Sequence, residues 1–291
     1  MEKFKLRTEV AVKRENTNLD YNSTIMMLGS CFTAEIGAIL DEYKFKVMIN
    51  PFGTLYNPAS ILNSLQILSS CTLFTSKDVI QTNPTSLLED KKYASFYHHS
   101  SFARLSADEF LHNANKHLQK AHSWLEETDT IIVTLGTAWV FINNETGKIV
   151  SNCHKRIAKE YTRKLLSIEE TAEALSSIAN MFPDKKIIFT ISPIRHFKDG
   201  AHGNQISKST LLMGVERVVQ KYPWCTYFPS YEIMMDELRD YRFYAEDMVH
   251  PSPLAVKYIF EKFKNAFISE ASFKQMEMNL RLTLAENHIQ K

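Results

Sequence analysis

The segment Thr24-Ile25-Met26-Met27-Leu28-Gly29-Ser30-Cys31-Phe32 passes from an apolar run, through a small turn, into a helical pattern. An apolar run of this length that ends at a glycine is typical of a buried strand. Beyond the turn, Ile36, Leu40 and Tyr43 continue from Phe32 at a spacing of about four, which is one face of a helix. The segment therefore predicts a strand, a tight turn and a helix in immediate succession.

The same unit recurs along the chain. Further strands are predicted at 45–49, 131–135, 187–191 and 225–228. Helices are predicted to begin after the capping residues Asn57, Ser106 and Ser167, and C-terminal helices from about Pro253. Apolar strands that alternate with helices predict a parallel sheet covered on both faces, which is a three-layer α/β/α sandwich.

Two long segments interrupt this alternation, near 81–105 and 142–166. Both exceed the length of ordinary connections between elements. No linker composition or internal repeat separates them from their surroundings. We therefore expect a single domain over residues 1–291, with these two insertions folded over the sheet edge as lids or walls of a site.

Composition and charge exclude several classes of protein. The chain has 44% apolar residues, and its 34 basic residues nearly balance its 33 acidic ones. Balanced charge gives no electrostatic reason to expect a nucleic-acid or membrane partner. Residues 1–7 interleave charges with single apolar residues, unlike a secretory signal, and no apolar run is long enough to span a bilayer. We expect a cytoplasmic protein.

The cysteines do not form a recognisable framework. They stand far apart and show no Cys-x-x-Cys spacing: Cys31, Cys71, Cys153 and Cys225. The sequence therefore predicts neither a zinc site nor disulfides, and nothing in it calls for a cofactor. It gives no indication of an oligomeric state.

The turns that follow the predicted strands carry small or polar residues. They are 29–31, 50–53, 136–138 and 192–195. In an open parallel sheet, ligands gather beyond the carboxyl ends of the strands. We expect these four turns to converge on one cleft.

Cys31 and Ser30 are the candidate nucleophiles in the first turn. Cys31 is predicted to lie at a helix N-terminus, where the dipole and free backbone N–H groups favour a thiolate and could hold an oxyanion. The alternative is that Cys31 is a small packing residue and Ser30 a helix cap. The sequence leaves these alternatives open.

Asp247 and His250 form the second candidate group. A carboxylate three residues before an imidazole can bind one ring nitrogen and leave the other to accept a proton from a nucleophile. The alternative is that Asp247 caps a turn and His250 fills space beneath the last helix. A general base of this kind contributes a factor on the order of one hundred to ten thousand in rate.

Other polar residues have weaker claims to a site. Arg195 and His196 follow a strand end directly, and the Arg195 guanidinium could bind a carboxylate or phosphate of a substrate. His98 and His99 in the first insertion, and the stretch 152–155 in the second, are interpreted mainly as solvated loop residues.

The motifs together resemble the GSCFA family, within the SGNH (GDSL-type) hydrolase-like superfamily. The family motif stands here as Gly29-Ser30-Cys31-Phe32-Thr33 and differs only at the last position. The other matching stretches are 50–54, 135–139, 192–196, 199–208 and the pair Asp247–His250. The resemblance implies a flavodoxin-like fold with strand order 2-1-3-4-5.

The resemblance also implies roles for individual residues. Laid over the superfamily pattern, Cys31 takes the place of the nucleophile and Ser30 that of the preceding aspartate. Gly53 resembles a glycine whose N–H helps to form the oxyanion hole. The asparagine expected after the third strand is missing, and Thr137 or its backbone is the replacement on offer.

The sequence therefore predicts an ester hydrolase or acyltransferase that acts on a small-molecule or glycan ester, such as an O-acyl group on a carbohydrate. The substrate class comes from fold analogy alone. The rival hypothesis is a non-catalytic SGNH-like module that binds a glycan or a small anion. In that case Cys31 would be inert, and the Asp247–His250 pair would only hold the last helix in place.

Overall fold

The computed structural model describes residues 8–15, 17–83 and 91–289. The N-terminal stretch 1–7 and part of the first predicted insertion, 84–90, lie outside the described residues. In chain order the strands are β1 (Thr24–Gly29), β2 (Lys46–Ile49), β3 (Ile80–Gln81), β4 (Tyr93–Ala94), β5 (Thr130–Leu135), β6 (Trp139–Asn143), β7 (Ile149–Val150), β8 (Tyr161–Leu165), β9 (Lys186–Ile191) and β10 (Cys225–Phe228). The helices are α1 (Cys31–Glu42), α2 (Pro58–Ser70), α3 (Ala107–Glu127), α4 (Ile168–Met181), α5 (Gly200–Lys221), α6 (Ser230–Glu232), α7 (Pro253–Phe267) and α8 (Phe273–Ile289).

A parallel five-stranded sheet forms the centre of the fold, in the order β10-β9-β5-β1-β2. Along the chain this is the order 2-1-3-4-5 that the resemblance implies. The five strands fall where the apolar runs predict them. Every position of β1 and β5 is buried, because helices cover both faces of the sheet. The predicted α/β class with a central parallel sheet is confirmed.

The two faces of the sheet carry different helices. Met26 and Leu28 of β1 pack with α2, α3, α4 and α5 on one face. Ile25 and Met27 pack with α1 and α7 on the other face. Successive side chains of a strand point to opposite faces, so one continuous apolar run supplies both cores.

Side-chain caps fix the predicted helix starts. The Asn57 side chain accepts a hydrogen bond from the Ser60 amide at 2.8 Å, and Pro58 occupies the first turn of α2. Ser167 and Glu170 form the complete reciprocal capping box at α4. At α3, the Ser106 hydroxyl accepts from the amide three residues later. Local chemistry thus sets where these helices begin.

The two insertions add short antiparallel elements. β3 pairs with β4 in the first, while β6, β7 and β8 form a three-stranded sheet that begins at Trp139, slightly before the predicted insertion. The insertions contact each other, because the Ser151 amide donates to the Phe96 carbonyl at 2.8 Å. The predicted single-domain organisation stays a prediction.

None of the described helices combines the length and the apolar composition needed to cross a lipid bilayer.

Candidate functional site

The turn after β1 is built by backbone contacts that exclude a side chain at Gly29. Gly29 has φ +146°, and a Cβ there would lie 2.1 Å from the Thr134 carbonyl oxygen of β5. The Gly29 amide donates to the Asn50 side chain at 2.8 Å, and the Ser30 amide donates to the Thr134 carbonyl at 3.2 Å. The neighbouring strands therefore determine the direction in which α1 leaves the sheet.

Ser30 and Cys31 have different environments in this turn. The Ser30 side chain is fully buried, makes no cap hydrogen bond, and its hydroxyl oxygen has no partner in the described part of the chain. Cys31 is the first residue of α1 and is partly exposed. Its Sγ lies 3.6 Å from the Tyr56 hydroxyl. Cys31 is thus the more accessible of the two candidate nucleophiles.

The backbone around Cys31 has N–H groups without an intrahelical acceptor. The Thr33 amide donates back to the Ser30 carbonyl at 2.9 Å, which closes the first turn of α1. The N–H groups of Cys31 and Phe32 precede any intrahelical acceptor, so the helix itself cannot satisfy them. The positive end of the helix dipole therefore points toward the Cys31 side chain.

Tyr56 is a residue of this site that the sequence motifs did not single out. Its carbonyl oxygen accepts hydrogen bonds from the amides of Gly136 at 2.7 Å and Thr137 at 3.0 Å. Burial raises the pKa of the Tyr56 phenol well above its ordinary value, and the contact with Cys31 raises it further. The hydroxyl therefore stays protonated at neutral pH. The sequence signal that could have pointed to Tyr56 is its position directly before the N-cap residue Asn57.

Gly53 lies in a tight turn after β2. The Gly53 amide donates to the Asn50 carbonyl at 2.7 Å. Gly53 has φ +76°, and a Cβ there would lie 2.4 Å from the Cβ of His99. The glycine allows His99 to approach the turn, while the amide expected to serve an oxyanion hole is already bonded within it.

Thr137 is likewise committed to structure. Its amide donates to the Tyr56 carbonyl at 3.0 Å. Its hydroxyl lies 3.0 Å from the Ser207 hydroxyl and accepts from the Trp139 amide at 3.1 Å. Neither predicted oxyanion donor, at position 53 or 137, has a free N–H in this conformation.

Asp247 orients the His250 ring as predicted from their spacing. One carboxylate oxygen lies 2.6 Å from His250 Nδ1, and the other accepts from the amides of Val249 and His250, both at 2.9 Å. The backbone hydrogen bonds from His250 and Val249 are the main reason that the pKa of Asp247 falls to about 2. An ionised carboxylate at Nδ1 leaves Nε2 as the basic nitrogen. The pair can therefore act as an oriented general base.

The loop after β9 joins this pair to the sheet edge. The Arg195 amide donates to the Val249 carbonyl at 3.3 Å, and the His196 amide donates to the Asn204 side chain at 2.9 Å. The His196 ring packs edge-on against Tyr56, with ring centroids 6.1 Å apart. Burial, together with the charges of Lys208 and His250, lowers the pKa of His196 to about 4.

Contacts therefore run from Cys31 through Tyr56 and His196 toward His250. Within the described residues, no hydrogen bond joins the His250 imidazole to Cys31 or Ser30; its side chain bonds to Asp247. The structure brings both halves of the predicted site to one region of the sheet edge. Direct proton transfer between them requires His250 or a bridging group to move closer. The assigned catalytic and binding roles stay predictions.

Lys208 bridges the loops that follow β5 and β9 at the carboxyl edge of the sheet. Its side chain is completely buried, and its Nζ donates to the carbonyls of Gly136 at 2.8 Å and Ser192 at 2.7 Å. Burial lowers the pKa of the ammonium group to about 7. Lys208 therefore joins the carboxyl ends of β5 and β9. It lies on α5, a helix that the sequence patterns did not predict.

A cavity of about 450 Å³ lies beside the His250 loop. Aromatic, methionine, arginine and aspartate side chains line it: Arg195, Phe197, Met234, Met235, Arg239, Asp240, Tyr241, Tyr244 and Met248. The Arg195 guanidinium stacks over the Phe197 ring at 5.0 Å. Arg242 pairs with Asp240 at 3.2 Å. The cavity therefore combines apolar walls with arginine side chains, next to the candidate base.

The interpretation of His98 and the 152–155 stretch as solvated loop is wrong for two histidines. His98 is fully buried against Phe52 and Phe74, and its Nδ1 lies 2.7 Å from the Ser95 hydroxyl. His154 is also buried, and its Nε2 lies 2.7 Å from the Ser95 carbonyl. Burial lowers the pKa of His98 to about 3. Apolar side chains from several elements enclose the two rings, which a local pattern does not reveal.

No cluster of three His, Cys, Asp or Glu side chains is placed to hold a metal ion in the described ranges. The cysteines 31, 71, 153 and 225 are all free thiols.

This chain can be compared with solved structures, with curated proteins and with protein families. Among solved structures, an acetyl xylan esterase from the rumen bacterium Butyrivibrio proteoclasticus is similar at 14% sequence identity and a TM-score of 0.40. The match covers 84% of this chain and 64% of the esterase chain, so this chain spans less than two thirds of that protein. The comparison with curated proteins gives no match. Residues 24–263 match the GSCFA family, and the chain belongs to that family.

Proposed function

We propose that this chain cleaves or transfers an acyl group of an ester, with Cys31 as the nucleophile and His250, oriented by Asp247, as the general base. The observation that carries the proposal is the position of Cys31. Cys31 is partly exposed at the N-terminus of α1, at the carboxyl edge of a parallel sheet. The oriented Asp247–His250 pair is tied to the same edge through the Arg195 amide.

The chemistry proceeds in two halves. His250 Nε2 takes the thiol proton while Sγ attacks the carbonyl carbon of the ester. The resulting tetrahedral adduct collapses with cleavage of the C–O bond, and His250 returns the proton to the leaving alcohol. Water or an acceptor hydroxyl then attacks the thioester, gives up its proton to His250, and releases an acid or a new ester as the thiol is restored.

This cycle needs His250 to approach Cys31 directly or through one water molecule. Catalytic hydrogen bonds are often long in proteins without substrate and tighten in the complex. The pair is on a loop with side chains 46% and 50% exposed, so no packed core holds it in place. A movement of this loop toward Tyr56 and His196 would complete the site.

Ser30 is the alternative nucleophile and has the weaker position. Its hydroxyl is fully buried in the turn, so an ester could reach it only after the turn opens. The buried hydroxyl also has no base as a hydrogen-bond partner among the described residues.

The substrate is proposed to bind through Arg195 and His196, in and beside the cavity next to the His250 loop. A volume of about 450 Å³ leaves room for more than an acetyl group. Aromatic side chains of the lining offer flat surfaces for a sugar ring or an acyl chain, and Arg195 offers a hydrogen-bond donor. An O-acylated carbohydrate is the substrate class that the resemblance implies.

A panel of chromogenic acyl esters tests the catalytic assignment. We expect Cys31→Ala to reduce turnover to the background rate, and His250→Ala to reduce kcat/KM by about 10²–10⁴-fold. Ser30→Ala should retain activity. Cys71→Ala is the matched control, because Cys71 is a partly exposed free thiol outside the site. Loss of activity in Ser30→Ala but not in Cys31→Ala would assign the nucleophile to position 30.

A second candidate function is a non-catalytic module that binds a glycan or a small anion. The bonded amides of Gly53 and Thr137 and the missing contact between His250 and Cys31 favour it. In that case the wild-type protein turns over no ester, and Cys31 reacts with an alkylating reagent no faster than Cys71. Activity that depends on both Cys31 and His250 excludes this candidate.

A further inference from the structure

We propose that the Tyr56 hydroxyl donates the hydrogen bond that stabilises the oxyanion when Cys31 is acylated. This inference rests on the proposed function, because it concerns the tetrahedral adduct formed on Cys31. In that step the Sγ–C bond forms and the carbonyl π electrons move onto oxygen. The developing negative charge needs donors that are already in place.

The donors predicted from the sequence are committed elsewhere. The Gly53 amide is bonded to the Asn50 carbonyl, and the Thr137 amide is bonded to the Tyr56 carbonyl. The Thr137 hydroxyl contacts Ser207. The backbone N–H groups of Cys31 and Phe32, in the first turn of α1, are the donors that the helix leaves free. The Tyr56 hydroxyl adds a side-chain donor beside the sulfur.

Tyr56 occupies the required position. Its hydroxyl lies 3.6 Å from Cys31 Sγ, and either atom can act as the donor in that contact. In the adduct, the oxyanion sits on the carbon that is bonded to Sγ. A donor at this distance from the sulfur is therefore within reach of the roughly 2.7–3.1 Å that an oxyanion requires.

The surrounding structure holds Tyr56 in place before any substrate binds. Two amides, from Gly136 and Thr137, bond its carbonyl oxygen. Its ring packs edge-on against His196. Gly136 allows this close packing, because a Cβ there would lie 3.2 Å from Tyr56 Cδ1. Both the backbone and the ring of Tyr56 are thus fixed, as an effective oxyanion donor must be.

Protonation agrees with a donor role. Because burial raises the pKa of the Tyr56 phenol, the hydroxyl keeps its proton throughout the neutral range. A phenol in this state cannot serve as the base that deprotonates Cys31. It can donate to a charge that appears during the reaction.

The test compares two reactions of the Cys31 thiol at one pH. Acylation by 4-nitrophenyl acetate forms an oxyanion, whereas alkylation by iodoacetamide does not. We expect Tyr56→Phe to slow acylation of Cys31 by about 10²–10³-fold and to leave its alkylation rate within about threefold of wild type. Intact-mass spectrometry measures both. Tyr21→Phe is the matched control, because the Tyr21 hydroxyl donates to the Tyr43 carbonyl outside the site.

Each other outcome overturns a stated claim. Equal acylation rates in Tyr56→Phe and wild type overturn the role of Tyr56. Equal slowing of acylation and alkylation also overturns it, because Tyr56 would then act on the reactivity of the thiol. A wild-type protein that is never acylated at Cys31 overturns the proposed function itself, which separates the two failures.

A second measurement tests the proposal if the Tyr56→Phe variant folds poorly. Incorporation of 3-fluorotyrosine at position 56 keeps the ring and the hydroxyl but makes the hydroxyl a stronger donor. We expect the acylation rate to rise while the alkylation rate stays constant. A constant or lower acylation rate contradicts the proposal.

Discussion

The two halves of the candidate site differ in how they are held. The turn 29–31 is anchored by backbone bonds to β5 and to Asn50, and Ser30 within it is fully buried. The Asp247–His250 loop is about half exposed, and its side-chain hydrogen bonds stay within four residues. Met248 within that loop has a left-handed φ of 57°. One half is part of the sheet, while the other is a surface loop that the Arg195 amide joins to the sheet edge.

The two halves of the candidate site are therefore preorganised to different degrees. The central strands, whose pairing depends on the whole core, fix the positions of Cys31 and Tyr56. For His250, Asp247 fixes only the orientation of the ring. Replacing residues that support the turn should therefore lower the free energy of unfolding. Replacing residues of the Asp247–His250 loop should lower activity alone.

The largest effect on stability is expected from Gly29→Ala. The new Cβ would overlap the Thr134 carbonyl oxygen at 2.1 Å, in a backbone conformation that L-residues rarely adopt. We expect the free energy of unfolding to fall by at least about 3 kcal/mol, measured by urea denaturation. Gly147→Ala is the matched control, since it also has positive φ but meets nothing within 4 Å. It should cost about 1 kcal/mol. Equal costs would show that the turn is not fixed by β5.

A smaller loss is expected from Lys208→Met. The substitution leaves the carbonyls of Gly136 and Ser192 without their buried donor. We expect the free energy of unfolding to fall by about 2–4 kcal/mol at pH 9. Lys257→Met, at an exposed position, should change it by less than about 0.5 kcal/mol.

The pH dependence of that loss follows from the pKa of Lys208. The pKa is about 7 in the folded chain and 10.5 in the unfolded reference, so the unfolded chain binds more protons between these values. The free energy of unfolding contributed by Lys208 therefore rises from pH 7 toward pH 10.5, by up to about 1.4 kcal/mol per pH unit. Urea denaturation of wild type and Lys208→Met at pH 7 and pH 9 measures the change. If the difference in free energy of unfolding between wild type and Lys208→Met is smaller at pH 9 than at pH 7, the lowered pKa of Lys208 is contradicted.

The smallest effect on stability is expected from Asp247→Asn. The amide oxygen can still accept the backbone N–H groups of Val249 and His250, but the amide nitrogen cannot accept from Nδ1–H of His250. We expect no measurable shift in the urea midpoint, while kcat/KM on the ester panel falls by about 10²–10⁴-fold. Asp236→Asn, at an exposed position outside the site, is the control. Unchanged activity would remove Asp247 from the mechanism.

Much of the fold could be predicted because its determinants are local. The apolar runs of β1 and β5 and the caps at Asn57 and Ser167 are each read from a few neighbouring residues. α5 escaped prediction, since buried polar residues such as Asn204, Ser207 and Lys208 interrupt its apolar face. Their partners come from other elements, and no local pattern contains them.

The site shows the same division. The spacing of Asp247 and His250 predicted their hydrogen bond, because both residues lie in one turn. Tyr56 had no motif, and its importance comes from a contact with Cys31 across 25 positions of sequence. The burial of His98 likewise arises from Phe52 and Phe74, which reach it from other segments.

By itself, the sequence determined the α/β class, the positions of the five central strands and the candidate reactive side chains. Periodicity, capping and turn chemistry act between residues that are close along the chain. Only the tertiary structure decided that Ser30 is buried while Cys31 is accessible, and that the amides of Gly53 and Thr137 are already bonded. Burial and hydrogen-bond satisfaction depend on which distant segments pack together, and that is a property of the whole folded chain.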